Sequence, residues 1–532
     1  MTVDDNPLAD FAFDKLPTEL LVEIFKHARP DNPGDAYIEP YLYPVALAQV
    51  CHHWRSVALS EPTLWVNIRV SMYYTEDTRK ATHVYLERSK ACPLFLTWFS
   101  NHSVVTAEVR EVINELIIPG AERWQRITLF ADNGVIPDAL LSAMGSLDFP
   151  ALRDVEITSL TTQPPPRGPT VCRNAPLLRR LRLRNVPSLP PLPSNLVTLD
   201  LLFLLEGSRD INLDPILEFL PHVAHSLEHL RFGVPISEVS VTPVPLKSRT
   251  TLQNLRSLIV RDSGFILDHI LVPNLTYFAV FHNLAPDARG VAKMFNGFSA
   301  PKLQSIRLYK TPLLPLLTSH NLPSMFPQLE SVTLGDCVNE DAFASLLGPP
   351  QTKKPSSLQK AAKYPQKHRK VEIPFPNLRE LGISDMTAWT SFQAAIESRL
   401  KNGSNSLKTI QLPKEDVTGT IMRHLTLWLP KQNIELALYE PGQFPISAPP
   451  VFQEEFCTEE IRLFYDIAED DDWDDEEDDN YDYDHEFDPE YWEERLMDFP
   501  DYELPNDYFG FYGDEDDEEE DDEEEEHEID EF

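Results

Sequence analysis

The sequence predicts an α/β protein: a short helical module at the N-terminus, a solenoid of parallel strands alternating with helices, and an acidic tail. Three observations carry this prediction. Two amphipathic segments lie within the first 60 residues, a short apolar phrase recurs about ten times between residues 152 and 412, and residues 466–532 hold 38 of the 86 acidic residues. Most phrases begin 18 to 31 residues apart, a spacing typical of stacked repeats. The alternative is an α/β domain with leucine-rich strands and no regular superhelix.

The N-terminal module is predicted from two segments with helical periodicity. The first, Leu16–Phe25, has apolar residues on one helix face, and Pro17 lies in the first turn, where its missing N–H costs least. The second, Val45–Ala58, repeats the pattern through Leu47, Val50, Cys51, Trp54 and Ala58. Because a module of about fifty residues buries a small fraction of its surface, we expect one apolar face to remain for a partner.

These segments resemble the F-box in both order and spacing. The matching pieces are Leu-Pro-x-Glu-Leu-Leu at Leu16–Leu21, the pair Ile24 and Phe25, Val-Cys-x-x-Trp-Arg at Val50–Arg55, and the final Leu64 and Trp65. One feature departs from the pattern, since Lys26–Pro44 is a Pro-rich stretch where the family has a brief connection. This insertion lengthens the first helix, forms a loop or changes the choice of partner.

The resemblance implies docking on a Skp-family adaptor and, through it, on a cullin ubiquitin ligase, while the rest of the chain recruits an unknown substrate protein. The residues expected to contact the adaptor are Leu16, Pro17, Leu20, Ile24, Phe25, Leu47, Val50 and Trp54. The alternative is that the helices only cap the next domain and bury Leu20, Ile24, Phe25 and Trp54 within the chain. In that case the protein is a scaffold, or a chaperone that binds basic proteins through its acidic tail.

Each phrase of the solenoid consists of an apolar residue, two polar residues, an apolar residue, one variable residue and an apolar residue. The ten copies begin at Leu152, Leu178, Leu196, Leu227, Leu255, Leu275, Leu303, Leu329, Leu378 and Leu407. We expect the last two apolar positions to point the same way from a strand and the first to pack in the preceding turn. The phrases resemble irregular leucine-rich repeats, but the Asn or Cys expected after each phrase is mostly absent, which predicts the loss of a side-chain hydrogen-bond ladder.

Other segments extend the solenoid at both ends and between the phrases. Helices are predicted at Ala107–Ile118, with Pro119 as a stop, and at Asp210–Leu220. Further strands are predicted at Leu94–Trp98, Gln125–Phe130 and Ile434–Leu438.

The domain boundaries follow from these patterns and from shifts in composition. They give a flexible N-terminus at 1–13, an F-box-like helical domain at 14–70, a solenoid at 71–440 with a basic loop insertion at 349–371, a connector at 441–465, and an acidic, largely disordered tail at 466–532. Opposite charge motivates the hypothesis that this tail contacts the basic loop Lys353–Lys370. The alternative is an unattached, solubilising tail.

The composition favours a non-catalytic protein of the cell interior. The formal net charge of −40 lies almost wholly in residues 466–532, so the body is nearly neutral and lacks the basic field that nucleic-acid binding needs. Five cysteines scattered without paired spacing argue against a disulfide framework. Adjacent residues such as Cys51, His52 and His53 diverge on a helix and cannot converge on one metal ion. With no catalytic motif and no membrane-length apolar segment, we expect no enzyme activity, cofactor, metal or membrane contact, and a soluble protein of the cytoplasm, the nucleus or both.

Overall fold

The computed structural model describes the helical module and most of the solenoid. The described residues are 16–29, 42–70, 76–100, 106–131, 138–159, 172, 174–186, 195–203, 214–234, 249–262, 264–281, 295, 298–311, 322–335, 347, 374–383, 389–402, 406–413 and 419–439. The expected N-terminus at 1–13, basic loop, connector and acidic tail lie outside them, as does most of the Lys26–Pro44 insertion.

One parallel sheet dominates the described structure. Its fourteen strands are β1 Asn67–Val70, β2 Leu94–Ser100, β3 Trp124–Ala131, β4 Asp154–Ser159, β5 Arg180–Arg184, β6 Thr198–Leu202, β7 His229–Gly233, β9 Ser257–Arg261, β11 Tyr277–Phe281, β12 Ser305–Tyr309, β13 Ser331–Gly335, β14 Glu380–Ile383, β15 Thr409–Pro413 and β16 Glu435–Tyr439. The strands lie side by side in chain order. Two short strands, β8 Thr250–Thr251 and β10 Ile270–Leu271, pair only with each other. A parallel sheet in chain order with helices between its strands is a solenoid-like α/β arrangement.

The described helices precede the sheet or connect its strands. They are α1 Thr18–Ala28, α2 Tyr43–Val50, α3 His52–Ser60, α4 Glu76–Arg88, α5 Thr106–Val112, α6 Ile118–Gly120, α7 Asp138–Ser146, α8 Asp214–Val223, α9 Leu322–Met325, α10 Trp389–Lys401 and α11 Gly419–Trp428.

The two predicted connecting helices are present, with different ends. A π-helical segment, Ile113–Ile117, joins α5 to α6, so the chain stays helical through Pro119. The helical stretch ends at Gly120, one residue after Pro119 and two after the predicted end at Ile118. The second helix, α8, continues to Val223 and includes Pro221.

All ten phrases form strands of the sheet, as predicted, and the strands expected near residues 94, 125 and 434 are β2, β3 and β16. The first leucine of every phrase is at most 3% exposed. In most copies its N–H donates to the carbonyl three residues earlier, as from Leu178 to Ala175 at 3.1 Å and from Leu275 to Val272 at 3.2 Å. A closed turn therefore places this leucine in the core.

Side-chain amides form a hydrogen-bond ladder before the phrases. The residue preceding the first leucine is Asn in four copies, and its Nδ2 donates to a carbonyl oxygen of the preceding repeat. The bonds run from Asn195 to Pro176, from Asn254 to His225, from Asn274 to Gln253 and from Asn377 to Pro327, at 3.2, 2.5, 2.8 and 3.1 Å. The expected loss concerns a residue after each phrase and stays a prediction; in these four copies an amide before the leucine bonds the preceding repeat instead.

The helical module and the solenoid share one core. Leu21 and Phe25 of α1 belong to the same buried apolar cluster as the strand residues as far as Ile434. Strand β1, Asn67–Val70, was not predicted. It is the first strand of the sheet, yet it lies inside the range 14–70 expected for the helical module. The module therefore covers the N-terminal end of the sheet directly.

Candidate functional site: the outer face of the first helix

Helix α1 begins at Pro17, which occupies the N-cap position. The Pro17 carbonyl oxygen accepts hydrogen bonds from the N–H groups of Leu20 and Leu21 at 3.0 and 3.1 Å. Glu19 lies in the first turn, and Lys26 and His27 lie in the last turn. The charges of Glu19 and Lys26 stabilise the helix because each lies at the end of opposite dipole sign.

The inner face of α1 is held by aromatic residues of the next two helices. Leu21 and Phe25 are 0% and 1% exposed. The rings of Phe25 and Trp54 pack with centroids 4.8 Å apart, and the Tyr43 hydroxyl donates to the Phe25 carbonyl oxygen at 2.9 Å. Burial raises the pKa of Tyr43, so its hydroxyl stays a donor at neutral pH.

Side-chain hydrogen bonds fix helices α2 and α3 behind α1. Arg55 Nε donates to the Ala48 carbonyl oxygen at 2.8 Å, which ties α3 to α2. The N–H of Trp54 donates to Cys51 Sγ at 3.4 Å, so the thiol caps the start of α3.

Trp65 links this module to the solenoid. Its Nε1 donates to the carbonyl oxygen of Ala58 at 2.8 Å. Its ring contacts Tyr85 of α4 edge-on with centroids 5.0 Å apart, and the Arg88 guanidinium lies 4.4 Å from the ring centroid. The module is therefore anchored to the solenoid on the side of Trp65.

The outer face of α1 forms a shallow apolar groove. The residues lining it are Leu16, Leu20, Glu23, Ile24, His27 and Ala28, and its volume is about 470 Å³. Leu20 is 53% exposed and Ile24 is 44% exposed. Exposed large apolar side chains on one helix face indicate a binding surface for another protein.

The structure brings together only part of the predicted contact set. Leu16, Leu20 and Ile24 line the groove, and Pro17 is exposed at the start of α1. Val50 is 59% exposed at the end of α2 but does not line the groove.

The three remaining predicted residues lie behind the groove. Phe25 and Leu47 are 1% and 7% exposed, so both lie in the core of the module, and their contact with an adaptor stays a prediction. Trp54 is half-buried against Phe25. These residues support α1 because they pack on its inner side or behind it.

Sequence reasoning missed Glu23, His27 and Ala28, which complete the groove. The signal was present in the helical period, since residues 16, 20, 23, 24, 27 and 28 share one side of a helix with 3.6 residues per turn. The prediction followed apolar residues of Leu16–Phe25, so it left out the polar Glu23 and His27 and did not extend to Ala28.

Comparison with known families decides the nature of this module. Residues 13–71 match the family model of the F-box-like domain. The chain contains an F-box-like domain. The match includes β1 as well as the three helices, in agreement with the shared core. No curated protein matches the chain.

Two other kinds of feature are absent from the described part of the chain. There, no group of three or more His, Cys, Asp and Glu side chains lies where it could hold a metal ion. Among the same residues, no helix has both the length and the apolar character needed to cross a bilayer.

Proposed function

We propose that the protein is a substrate-recognition adaptor of a Skp/cullin/F-box-type ubiquitin ligase. The outer face of α1 docks on the Skp-family adaptor, and the solenoid binds a substrate protein. The F-box-like domain supports the adaptor role. The observation that carries the docking surface is the exposure of Leu20 and Ile24 in an apolar groove lined by residues of α1 and the adjoining Leu16.

The apolar groove suits a complex that is stabilised mainly by the burial of apolar surface. Complete burial of the exposed parts of Leu20 and Ile24 would stabilise the complex by about 1–2 kcal/mol each. Glu23 and His27 lie at the edge of this surface, where polar side chains contribute to orientation more than to affinity. We therefore assign Leu16, Pro17, Leu20 and Ile24 to the contact surface and treat Phe25, Leu47 and Trp54 as its support.

Ubiquitin transfer is assigned to the partner subunits. F-box proteins are typically non-catalytic adaptors, and the substrate site belongs to the long parallel sheet that follows the domain. The alternative function, a scaffold or acidic-tail chaperone, requires that the N-terminal helices only cap the solenoid. The exposure of Leu20 and Ile24 favours docking over capping, since capping was expected to bury both residues.

The test is co-purification of the full chain with a Skp-family adaptor. The variant Leu20→Asp/Ile24→Asp places two carboxylates in the apolar groove and is expected to abolish co-purification. The matched control is Leu177→Asp/Leu427→Asp, which makes the same change at two solenoid leucines that are 47% and 63% exposed.

The control variant is expected to bind like the unmodified chain. Undiminished binding by the Leu20 and Ile24 variant, with both variants folded, would contradict the proposed docking surface.

A further inference from the structure

Three phenylalanines lie near the N-terminal end of the sheet, on the face opposite the core. The side chains of a strand alternate between two faces. Phe95 and Phe99 of β2 and Phe130 of β3 alternate with the core positions of their strands and are partly exposed. In contrast, Leu96 and Ile127, on the core side of the same strands, are 1% and 0% exposed. We name Phe95, Phe99 and Phe130 the phenylalanine patch.

The same face of the sheet is buried farther along the chain. Ile259 of β9 and Ala279 of β11 lie on this face and are 1% and 0% exposed. Together with Tyr277 they form a buried cluster that is separate from the main core. The exposure of the phenylalanine patch is therefore a local feature of the first strands. Large apolar side chains grouped on an exposed surface indicate a binding site, and aromatic residues often supply much of the binding energy at such sites.

The strand register sets the spacing within the phenylalanine patch. Phe99 and Phe130 are direct neighbours across β2 and β3, and their ring centroids are 5.7 Å apart. Phe95 comes four residues before Phe99 on the same strand, which separates the two by about 13 Å along the strand. Between them lie Thr97 and Thr128, which are also direct neighbours and partly exposed. The face therefore offers two apolar contact points with a pair of hydroxyl groups between them.

The charged groups around the phenylalanine patch balance one another. On this face the strands β1 to β4 carry two arginines and two carboxylates, namely Arg69, Arg126, Asp154 and Glu156. The guanidinium of Arg69 lies 4.8 Å from the ring centroid of Phe99. That of Arg126 lies 5.7 Å from the ring centroid of Phe95, and its Nε lies 3.8 Å from Asp154 Oδ2. The face thus offers no net charge to nucleic-acid phosphates or to the acidic residues 466–532 of this chain.

These features favour an extended peptide as the ligand. In an extended chain, residues four positions apart point to the same side and lie about 13 Å apart, which matches the separation of Phe95 and Phe99. The backbone of such a peptide has N–H and C=O groups that need partners, and the hydroxyl groups of Thr97 and Thr128 can both donate and accept hydrogen bonds. A helix satisfies its backbone groups internally and would leave these hydroxyl groups unused.

We propose that the phenylalanine patch binds an extended segment of another protein, with little net charge and with two apolar or aromatic residues four positions apart. One of these residues packs against Phe99 and Phe130, and the other packs against Phe95. The proposal rests on the proposed function in one respect, because it takes this other protein to be the substrate. The location suits that role, since β1 lies within the F-box-like domain and pairs directly with β2.

The test is the selection of binding peptides on the purified full chain from a phage-displayed library of random peptides. The selected peptides are synthesised, and their affinities are measured by fluorescence polarisation. The patch variant is Phe99→Ser/Phe130→Ser. The matched control is Phe281→Ser/Tyr309→Ser, which removes another pair of neighbouring rings from the same face, on β11 and β12, with centroids 6.1 Å apart.

We expect the selected peptides to share two apolar or aromatic residues four positions apart. The patch variant should bind them about tenfold more weakly than the unmodified chain, and the control variant should bind like the unmodified chain. Leu20→Asp/Ile24→Asp should also keep its affinity, because the peptide does not contact α1. Peptide binding therefore tests the phenylalanine patch, whereas co-purification with the adaptor tests the proposed function.

The absence of enriched peptides, or equal affinity of the patch variant and the unmodified chain, would overturn the proposal. Loss of peptide binding by the Leu20 and Ile24 variant would also overturn it and would assign the peptide to the groove of α1. Displacement of the peptide by single-stranded oligothymidylate would assign the patch to nucleic acid instead. A dimer in sedimentation that the patch variant dissociates would assign it to a second copy of the chain.

A second measurement decides if the patch variant does not fold, as judged by its thermal unfolding. A selected peptide with a photo-crosslinking group at one of its two apolar positions is bound to the unmodified chain and irradiated. The crosslinked residues are then located by peptide mass analysis. Crosslinks to β2 or β3 support the proposal, and crosslinks confined to other parts of the chain overturn it.

Discussion

The Tyr43 hydroxyl donates a 2.9 Å hydrogen bond to the backbone carbonyl oxygen of Phe25. This contact joins the first residue of α2 to the inner side of α1, across the segment 30–41. Tyr43 is 7% exposed, so the bond is protected from water. It fixes α1 against the rest of the module and thereby presents Leu20 and Ile24 outward.

Tyr43→Phe removes this hydrogen bond and leaves a buried carbonyl oxygen without its donor. We expect the free energy of unfolding to fall by about 1–2 kcal/mol, measured by urea unfolding at neutral pH. An unchanged urea midpoint would show that the bond does not stabilise the module.

The raised pKa of Tyr43 gives the same bond a pH dependence. The stability that it contributes is fully present below the ordinary tyrosine pKa and is lost as the pH rises through the raised value in the folded chain. The difference in stability between the unmodified chain and Tyr43→Phe should therefore shrink in alkaline solution.

The amide ladder predicts an additive loss of stability. Replacing Asn254, Asn274 and Asn377 together by alanine should lower the free energy of unfolding by about 2 kcal/mol, because the sites lie in different repeats and each bond contributes about 0.5–1 kcal/mol. The control is Asn402→Ala, whose amide makes only a 3.5 Å contact with Ser398. A triple variant as stable as this control would contradict a stabilising ladder.

We expect a larger loss of folding stability from a substitution at the buried Arg399. It is 0% exposed, and its guanidinium donates to the carbonyl oxygens of Pro374 and Phe375 at 2.7 and 2.6 Å. Burial lowers its pKa to about 10, so it stays charged at neutral pH. Arg399→Met keeps most of the volume but removes the donors, and we expect it to cost about 3 kcal/mol in chemical unfolding. Equal or greater stability would mean that desolvation of the guanidinium outweighs its hydrogen bonds.

Cys172 should be chemically inert while the chain is folded. Its side chain is buried, and burial raises its thiol pKa to about 12. At pH 8 about one thiol in ten thousand is then ionised, and only the thiolate reacts with alkylating reagents. We expect iodoacetamide to modify Cys172 only after denaturation, as seen by peptide mass analysis. Modification in the folded chain at the rate of Cys92 would contradict this burial.

The repeat architecture could be predicted because its cause is local in the sequence. A leucine in a closed turn and two apolar strand positions give each repeat the same short sequence pattern. The pattern can be recognised although the connections between repeats differ in length. Strand β1 escaped prediction because Asn67–Val70 has four residues, includes Arg69 and follows a helical signature without a turn. Its pairing with β2 is a tertiary interaction that these four residues do not encode alone.

The docking face could be predicted only in part. Helical periodicity identified one wide apolar stripe on α1, but it did not separate Leu20 and Ile24 from Leu21 and Phe25. That separation depends on what packs against the helix, namely Trp54 on Phe25 and the core on Leu21. The amide ladder was missed for a simpler reason, because Asn residues precede four of the phrases, whereas the prediction considered only the position after each phrase.

The most direct test of the central claim is a calorimetric titration of the purified full chain with a purified Skp-family adaptor. If the outer face of α1 is the docking surface, Leu20→Ala and Ile24→Ala should each weaken binding about tenfold, which corresponds to about 1.4 kcal/mol, and Leu427→Ala should bind like the unmodified chain. Equal affinity for all four proteins, or no binding by the unmodified chain, would contradict the account.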